Sequence, residues 1–195
     1  MMLRQVLWTT VATLPVLLGA AGCSTTEVAD PLTGNLAAND ENTQLEFWHT
    51  LNDRKITSND EAFHGILLLL DSEDTQTDYS GRLEALRSRG LMPPGFDRPA
   101  NEAVNRGTVA VAVMRTLDFK GGVMTRLFPF SARYATRELQ YLGLYPRSSP
   151  HQTFSGPEFL AIIGRVEDYQ RVVSVRRPAA QFLNEGEPTT DATGE

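Results

Sequence analysis

The chain has 195 residues, 41% of them hydrophobic, and a formal charge of −6. That length suits one ordinary domain with tails. An acidic chain gains little from counterion release, which argues against nucleic acid as a partner. A single cysteine excludes an intramolecular disulfide and any cysteine-rich metal site.

The first 23 residues have the three parts of an export signal. Arg4 is the positive end. Val6 to Leu18 is an apolar run interrupted by Thr9, Thr10, Thr13 and Pro15, too short to span a bilayer, which takes about 20 residues. Leu17-Leu18-Gly19-Ala20-Ala21-Gly22-Cys23 then joins small residues to the lone thiol. This stretch resembles the lipobox of bacterial lipoproteins, with Ala20 where that family usually has Leu. The resemblance implies a signal peptide over 1–22, cleavage between Gly22 and Cys23, and diacylglycerol on the Cys23 sulfur. Acylation of the new N-terminus is also implied, and two or more chains anchor a protein firmly where one does not. Ser24, rather than Asp, follows the cysteine, which in a Gram-negative cell envelope favours the outer membrane. Residues 23–42 are polar and lack apolar periodicity, and they read as a flexible linker.

A helical domain is expected over 43–177. Leu45, Phe47, Trp48 and Leu51 fall at helical spacings. Ser58 and Glu61 form a capping box ahead of Ile66 to Leu70, an apolar run that predicts a helix buried nearly all round. Asn105 stands in the same relation to Val109–Met114, and Ser155 to Phe159–Val166. The caps Ser58, Asn105 and Ser155 each precede an acid by 13 residues, at Asp71, Asp118 and Asp168. The alternation Val109-Ala110-Val111-Ala112-Val113 alone reads as a strand, but its register with the other two segments argues for helix. Tyr79–Arg89 and Tyr134–Leu142 are partner helices, each ending in Gly-Leu-x-Pro at Gly90 and Gly143. Glycine there supplies a left-handed cap and the leucine packs back. The paired Gly121-Gly122 and the apolar residues to Phe130 predict a loop that covers the core, with an exposed recognition loop as the alternative. Residues 170–177 either extend the last helix or form a short strand, and 178–195 read as a disordered tail.

The expected fold is therefore all-α. Three related helix hairpins, each a partner helix followed by a capped helix, would share one core, because one hairpin cannot bury both of its faces. Residues 79–169 resemble S-layer homology repeats, in which a helix ends in Gly-Leu and a loop leads to a capped apolar helix. That family's Thr-Arg-Ala-Glu motif stands here as Ser-Gly-Pro-Glu at 155–158 and Asn-Arg-Gly-Thr at 105–108, so no binding residue is carried over. The resemblance implies attachment to a cell-wall polymer.

No catalytic constellation stands out. His49, His64 and His151 share no helical metal spacing. His64, in an apolar helix, reads as a hydrogen-bonded core histidine, and His49 as a surface residue. The acidic group Asp71, Glu73, Asp74 and Asp78 has Gln76 and Arg82 where a calcium loop needs Gly and Glu, and it reads as a solvated loop. No cofactor, metal site or catalytic residue is assigned. The leading expectation is a non-enzymatic, membrane-tethered envelope protein that binds a wall polymer or an envelope protein. The competing one is a small hydrolase whose site converges from loops 92–105 and 145–155 near His151. A purely structural spacer is a third.

Overall fold

A computed structural model describes residues 25–31, 40–119 and 122–184, with side chains through 174. The signal segment 1–22, Cys23, residues 32–39 and residues 185–195 lie outside the described residues. Among the described residues there are seven helices and no strand. They are α1 (Glu41–Asn52), α2 (Asn59–Asp71), α3 (Tyr79–Ser88), α4 (Arg106–Thr116), α5 (Val123–Leu127), α6 (Ala132–Tyr141) and α7 (Gly156–Asn184).

Local chemistry starts and stops these helices much as the sequence predicts. The Ser58 hydroxyl accepts from the Glu61 amide at 3.2 Å, and the Glu61 carboxylate accepts from the Ser58 amide at 2.7 Å. Glu158 and Ser155 repeat the exchange at 3.4 and 3.0 Å. Asn105 occupies the corresponding position before α4, but its side chain makes no capping bond, so the predicted set of three side-chain caps is reduced to two. Gly90 and Gly143 take φ of 67° and 75°. Leu91 donates back to the Leu86 carbonyl and Leu144 to that of Leu139, at 2.8 and 2.9 Å. Both leucines are buried. These are Schellman endings, in which the left-handed glycine lets the chain return onto its own last turn.

The alternating Val-Ala stretch is helical, and every residue from Val109 to Met114 is buried. Asp71 ends α2, and Asp118 follows α4 with φ of 44°. Asp168 ends nothing: α7 runs through it to Asn184. Residues 170–177 thus extend the last helix, and the boundary expected at 177 falls inside α7.

Two further expectations are corrected. Part of the linker is docked. Val28 is buried, its amide donates to the Asn101 carbonyl at 2.8 Å, and the Ala103 amide donates to the Thr26 carbonyl at 2.8 Å. A polar composition hides an apolar residue that finds a site. The hairpins are also paired differently. In closest contact are α2 with α3, α4 with α6, and α7 with α1. Each of the first two capped helices packs on a helix that follows it, and the last packs on the first helix of the chain. The long loops between α3 and α4 and between α6 and α7 leave those helices free to separate.

The loops before α2, α4 and α7 meet at the centre. The first amides of a helix have no intrahelical acceptor, and here the neighbouring loop supplies one. Asn59 and Asp60, opening α2, donate to Glu102 and Ala100 at 2.8 and 3.1 Å. Arg106 and Gly107, opening α4, donate to Gln152 and Pro150 at 2.7 and 2.8 Å. The acceptors stand three and five residues before Asn105 in one case and before Ser155 in the other. Gly156, opening α7, donates to Arg54 at 2.9 Å, which closes the circuit, and Pro157 has no amide hydrogen left to satisfy. Thr57 ties the first loop to both others, accepting from Val104 and donating to Phe154 at 2.9 and 3.0 Å.

Candidate functional site

Charged residues around this junction are engaged within the protein. Arg106 reaches Glu158 at 2.6 Å, donates to the Thr153 carbonyl at 3.1 Å, and lies 4.9 Å from the Phe154 ring centroid. Glu158 is held below the usual carboxylate range by the Ser155 amide, against some desolvation, with help from Arg106. The buried Tyr145 hydroxyl donates to the Arg106 carbonyl at 3.3 Å, and burial pushes its pKa up.

A second cluster is sealed between α2 and α3. The Arg82 guanidinium reaches Asp74 at 2.5 Å and Asp60 at 2.8 Å, and His64 Nδ1 lies 2.7 Å from Asp74. All four residues are buried. Asp74 is therefore not part of a solvated loop, as its acidic neighbours suggested. Burial works to raise its pKa, but hydrogen bonds from His64 and Arg82 outweigh that and hold it below the ordinary value. For Asp60 burial wins and the pKa is raised despite Arg82. His64 is the hydrogen-bonded core histidine that its apolar helix predicts, and Phe47 packs edge-on to it at 4.5 Å. Asp60 and His64, four apart on one apolar helix, were the available signal for this cluster. Arg82 and Asp74 could be joined to them only in three dimensions.

Of the other histidines, His49 and His151 are exposed. Loop 145–155 does meet the 101–107 segment at the junction, where Asn105 and Thr153 pair. The bond that His151 makes there is from its backbone amide to the Ser149 hydroxyl, at 3.3 Å. Among the described residues no three His, Cys, Asp or Glu side chains are grouped so as to hold a metal ion. Nor is any described helix long and apolar enough to cross a membrane.

Two open clefts at the far end of α4 share Asp118. One, of about 150 Å³, is lined by Arg89, Met114, Arg115, Asp118, Phe119 and Thr125, with Pro129 at its edge. Arg115 donates to the Gly90 carbonyl and lies 4.6 Å over the Phe130 ring, while Arg89 reaches Asp71 at 2.6 Å. The other, of about 400 Å³, runs along α7 beside Tyr169, Gln170, Val173 and Ser174. The joined clefts offer guanidinium, carboxylate, amide, hydroxyl and aromatic groups on an open surface. Asp118 was singled out in the sequence only as the end of a helix. Its neighbours come from α3, α5 and α7, which no spacing rule joins. Comparison with protein-family models, curated proteins and solved structures gives no match for this chain.

Proposed function

We propose that this is a lipid-anchored envelope protein acting as a non-enzymatic binding module. Cys23 would carry the lipid, and the open clefts around Asp118 would hold a wall polymer, with an envelope protein as the other candidate partner. The observation that carries the reading is the closed circuit of loop-to-helix bonds, with offsets of three and five residues repeated at two of its three junctions. It supports three copies of one unit arranged in a ring, which agrees with the faint S-layer resemblance of residues 79–169. The polar and aromatic lining of the clefts suits a polymer with repeating hydroxyl and charged groups. The hydrolase reading has less support, because among the described residues the exposed His151 side chain has no hydrogen-bond or ion-pair partner.

Two experiments test this. Cys23→Ala should release the protein from membranes washed in high salt, and retention there would end the lipoprotein reading. The detergent-extracted full chain should sediment with purified cell-wall sacculi through a salt wash. Asp118→Asn should weaken that retention while leaving thermal stability unchanged, since Asn keeps the size of this exposed side chain and also adopts the positive φ found there. Failure of the intact chain to sediment would exclude the wall polymer.

A further inference from the structure

We propose that the surface built by α5 and α6 is a second membrane contact, specific for anionic lipid. Seven large hydrophobic side chains are exposed among the described residues, and four of them sit together on α5 and its C-cap. Val123 is 73% exposed, Met124 45%, Leu127 65% and Phe128 52%. At about 100° per residue, Val123, Leu127 and Met124 share one side of the short helix. Thr125 is the one buried residue of α5, and it faces the protein.

The anchoring of this element engages the one acid of residues 122–147. Glu138 on α6 accepts from the Gly122 amide at 3.1 Å and from the Thr125 hydroxyl at 3.3 Å. Residues 122–147 contain that single acid and four arginines, Arg126, Arg133, Arg137 and Arg147. The segment is thus +3, while the rest of a chain of net −6 carries −9. All four arginines are exposed. Arg133, Arg137 and Arg147 form no ion pair among the described residues. Elsewhere among the described residues Arg54, Arg82, Arg87, Arg89, Arg98, Arg106 and Arg171 meet carboxylates, while Arg115 and Arg165 form no ion pair. Apolar side chains on α5, with unpaired arginines on the α6 helix it packs against, match the boundary between acyl chains and anionic headgroups. A protein partner would have to bring both an apolar pocket and an acidic rim, whereas an anionic bilayer offers both everywhere.

The proposal rests on the lipid anchor for bringing the membrane close, since a tether raises the effective concentration of a weak second contact. The test uses the full acylated chain carrying Leu127→Cys, labelled with a polarity-sensitive fluorophore. It is reconstituted on vesicles of phosphatidylcholine alone or of phosphatidylcholine with phosphatidylglycerol. Emission should shift to the blue on the anionic vesicles only, and the shift should fade as salt is raised. Adding Arg133→Gln and Arg137→Gln should lower the inserted-to-free ratio about twenty-five-fold, at about fivefold for each arginine. A label at Val172→Cys, on the exposed part of α7, should not shift. Unchanged emission at Leu127 on both vesicles overturns the proposal and leaves the surface to a protein partner. An equal shift on both vesicles also overturns it. The intact mass of the labelled protein reports the anchor separately. A second label on Cys23 would mean that this thiol is not acylated, and the emission is then read on the Cys23→Ala chain.

Discussion

Arg82 and Arg133 stand on short helices of the same length, and they meet opposite fates. Arg82, on α3, is buried and clamped between Asp60 and Asp74. Arg133, on α6, is exposed and forms no ion pair among the described residues. The α2–α3 end thus satisfies its charges internally, at the cost of desolvating them. The α5–α6 end leaves both cations and apolar side chains at the surface. One end is built for cohesion, and the other would supply the membrane contact proposed above.

The largest expected effect falls on the sealed end. Arg82→Met should cost about 3–5 kcal/mol, because it leaves two carboxylates buried without a cation. Arg133→Met should stay within about 0.5 kcal/mol, as exposed substitutions usually do. Urea midpoints of the two variants make the comparison directly. Equal losses would abolish the distinction between the ends. Combining Arg82→Met with Asp60→Asn and Asp74→Asn should recover part of the loss, since the uncompensated charges are then gone.

The central junction should be nearly as intolerant. A Cβ on Gly156 would overlap the Leu51 carbonyl, a backbone atom that cannot turn aside. Gly156→Ala is therefore expected to lower stability by about 3 kcal/mol, the upper range for overpacking. A Cβ on Gly164 meets nothing within 4 Å, so Gly164→Ala should be neutral or stabilising in thermal melts. The same substitution on one helix then reads the difference between its first turn and its exposed side.

Smaller effects grade the caps. Ser58→Ala should cost about 1–2 kcal/mol, Ser155→Ala about 0.5–1 kcal/mol, and Asn105→Ala close to nothing, within the range measured for such caps. The order follows burial and bond length, since the Ser58 exchange is buried and shorter. A large loss at Asn105 would contradict the absence of its capping bond.

Acid should expose the same asymmetry. The pKa of Asp74 is depressed by folding, so its contribution is present above the ordinary carboxylate value and is lost as pH falls through the folded one. Stability should accordingly drop below about pH 4, and Asp74→Asn should flatten that drop. Asp60 has the opposite sign. Its raised pKa means that ionisation opposes folding at neutral pH, so Asp60→Asn should cost less than Asp74→Asn. Urea titrations across acid pH check both.

Helix type and helix ends were legible in the sequence because their causes are local. Ser58 with Glu61, Ser155 with Glu158, and the glycines of the two Gly-Leu-x-Pro stops act over three to five residues, and each acts as its spacing predicts. The all-α class followed from the same signals, as did the buried character of α2 and α4. The common interval from cap to acid overreached at Asp168, where no glycine or proline stops α7. Tertiary structure alone decided which helices pair, because α7 reaches α1 across most of the chain and the loops permit either partner. It also decided that Val28 docks on the 101–103 segment, that Asp74 joins His64 and Arg82 in the interior, and that Asp118 stands between two clefts. Those outcomes depend on contacts between residues far apart in sequence, where no periodicity reports. The exposed face of α5 is of the same kind: this stretch read as a loop covering the core, with an exposed loop as the alternative, and Val123–Leu127 is instead a short helix whose apolar residues are uncovered.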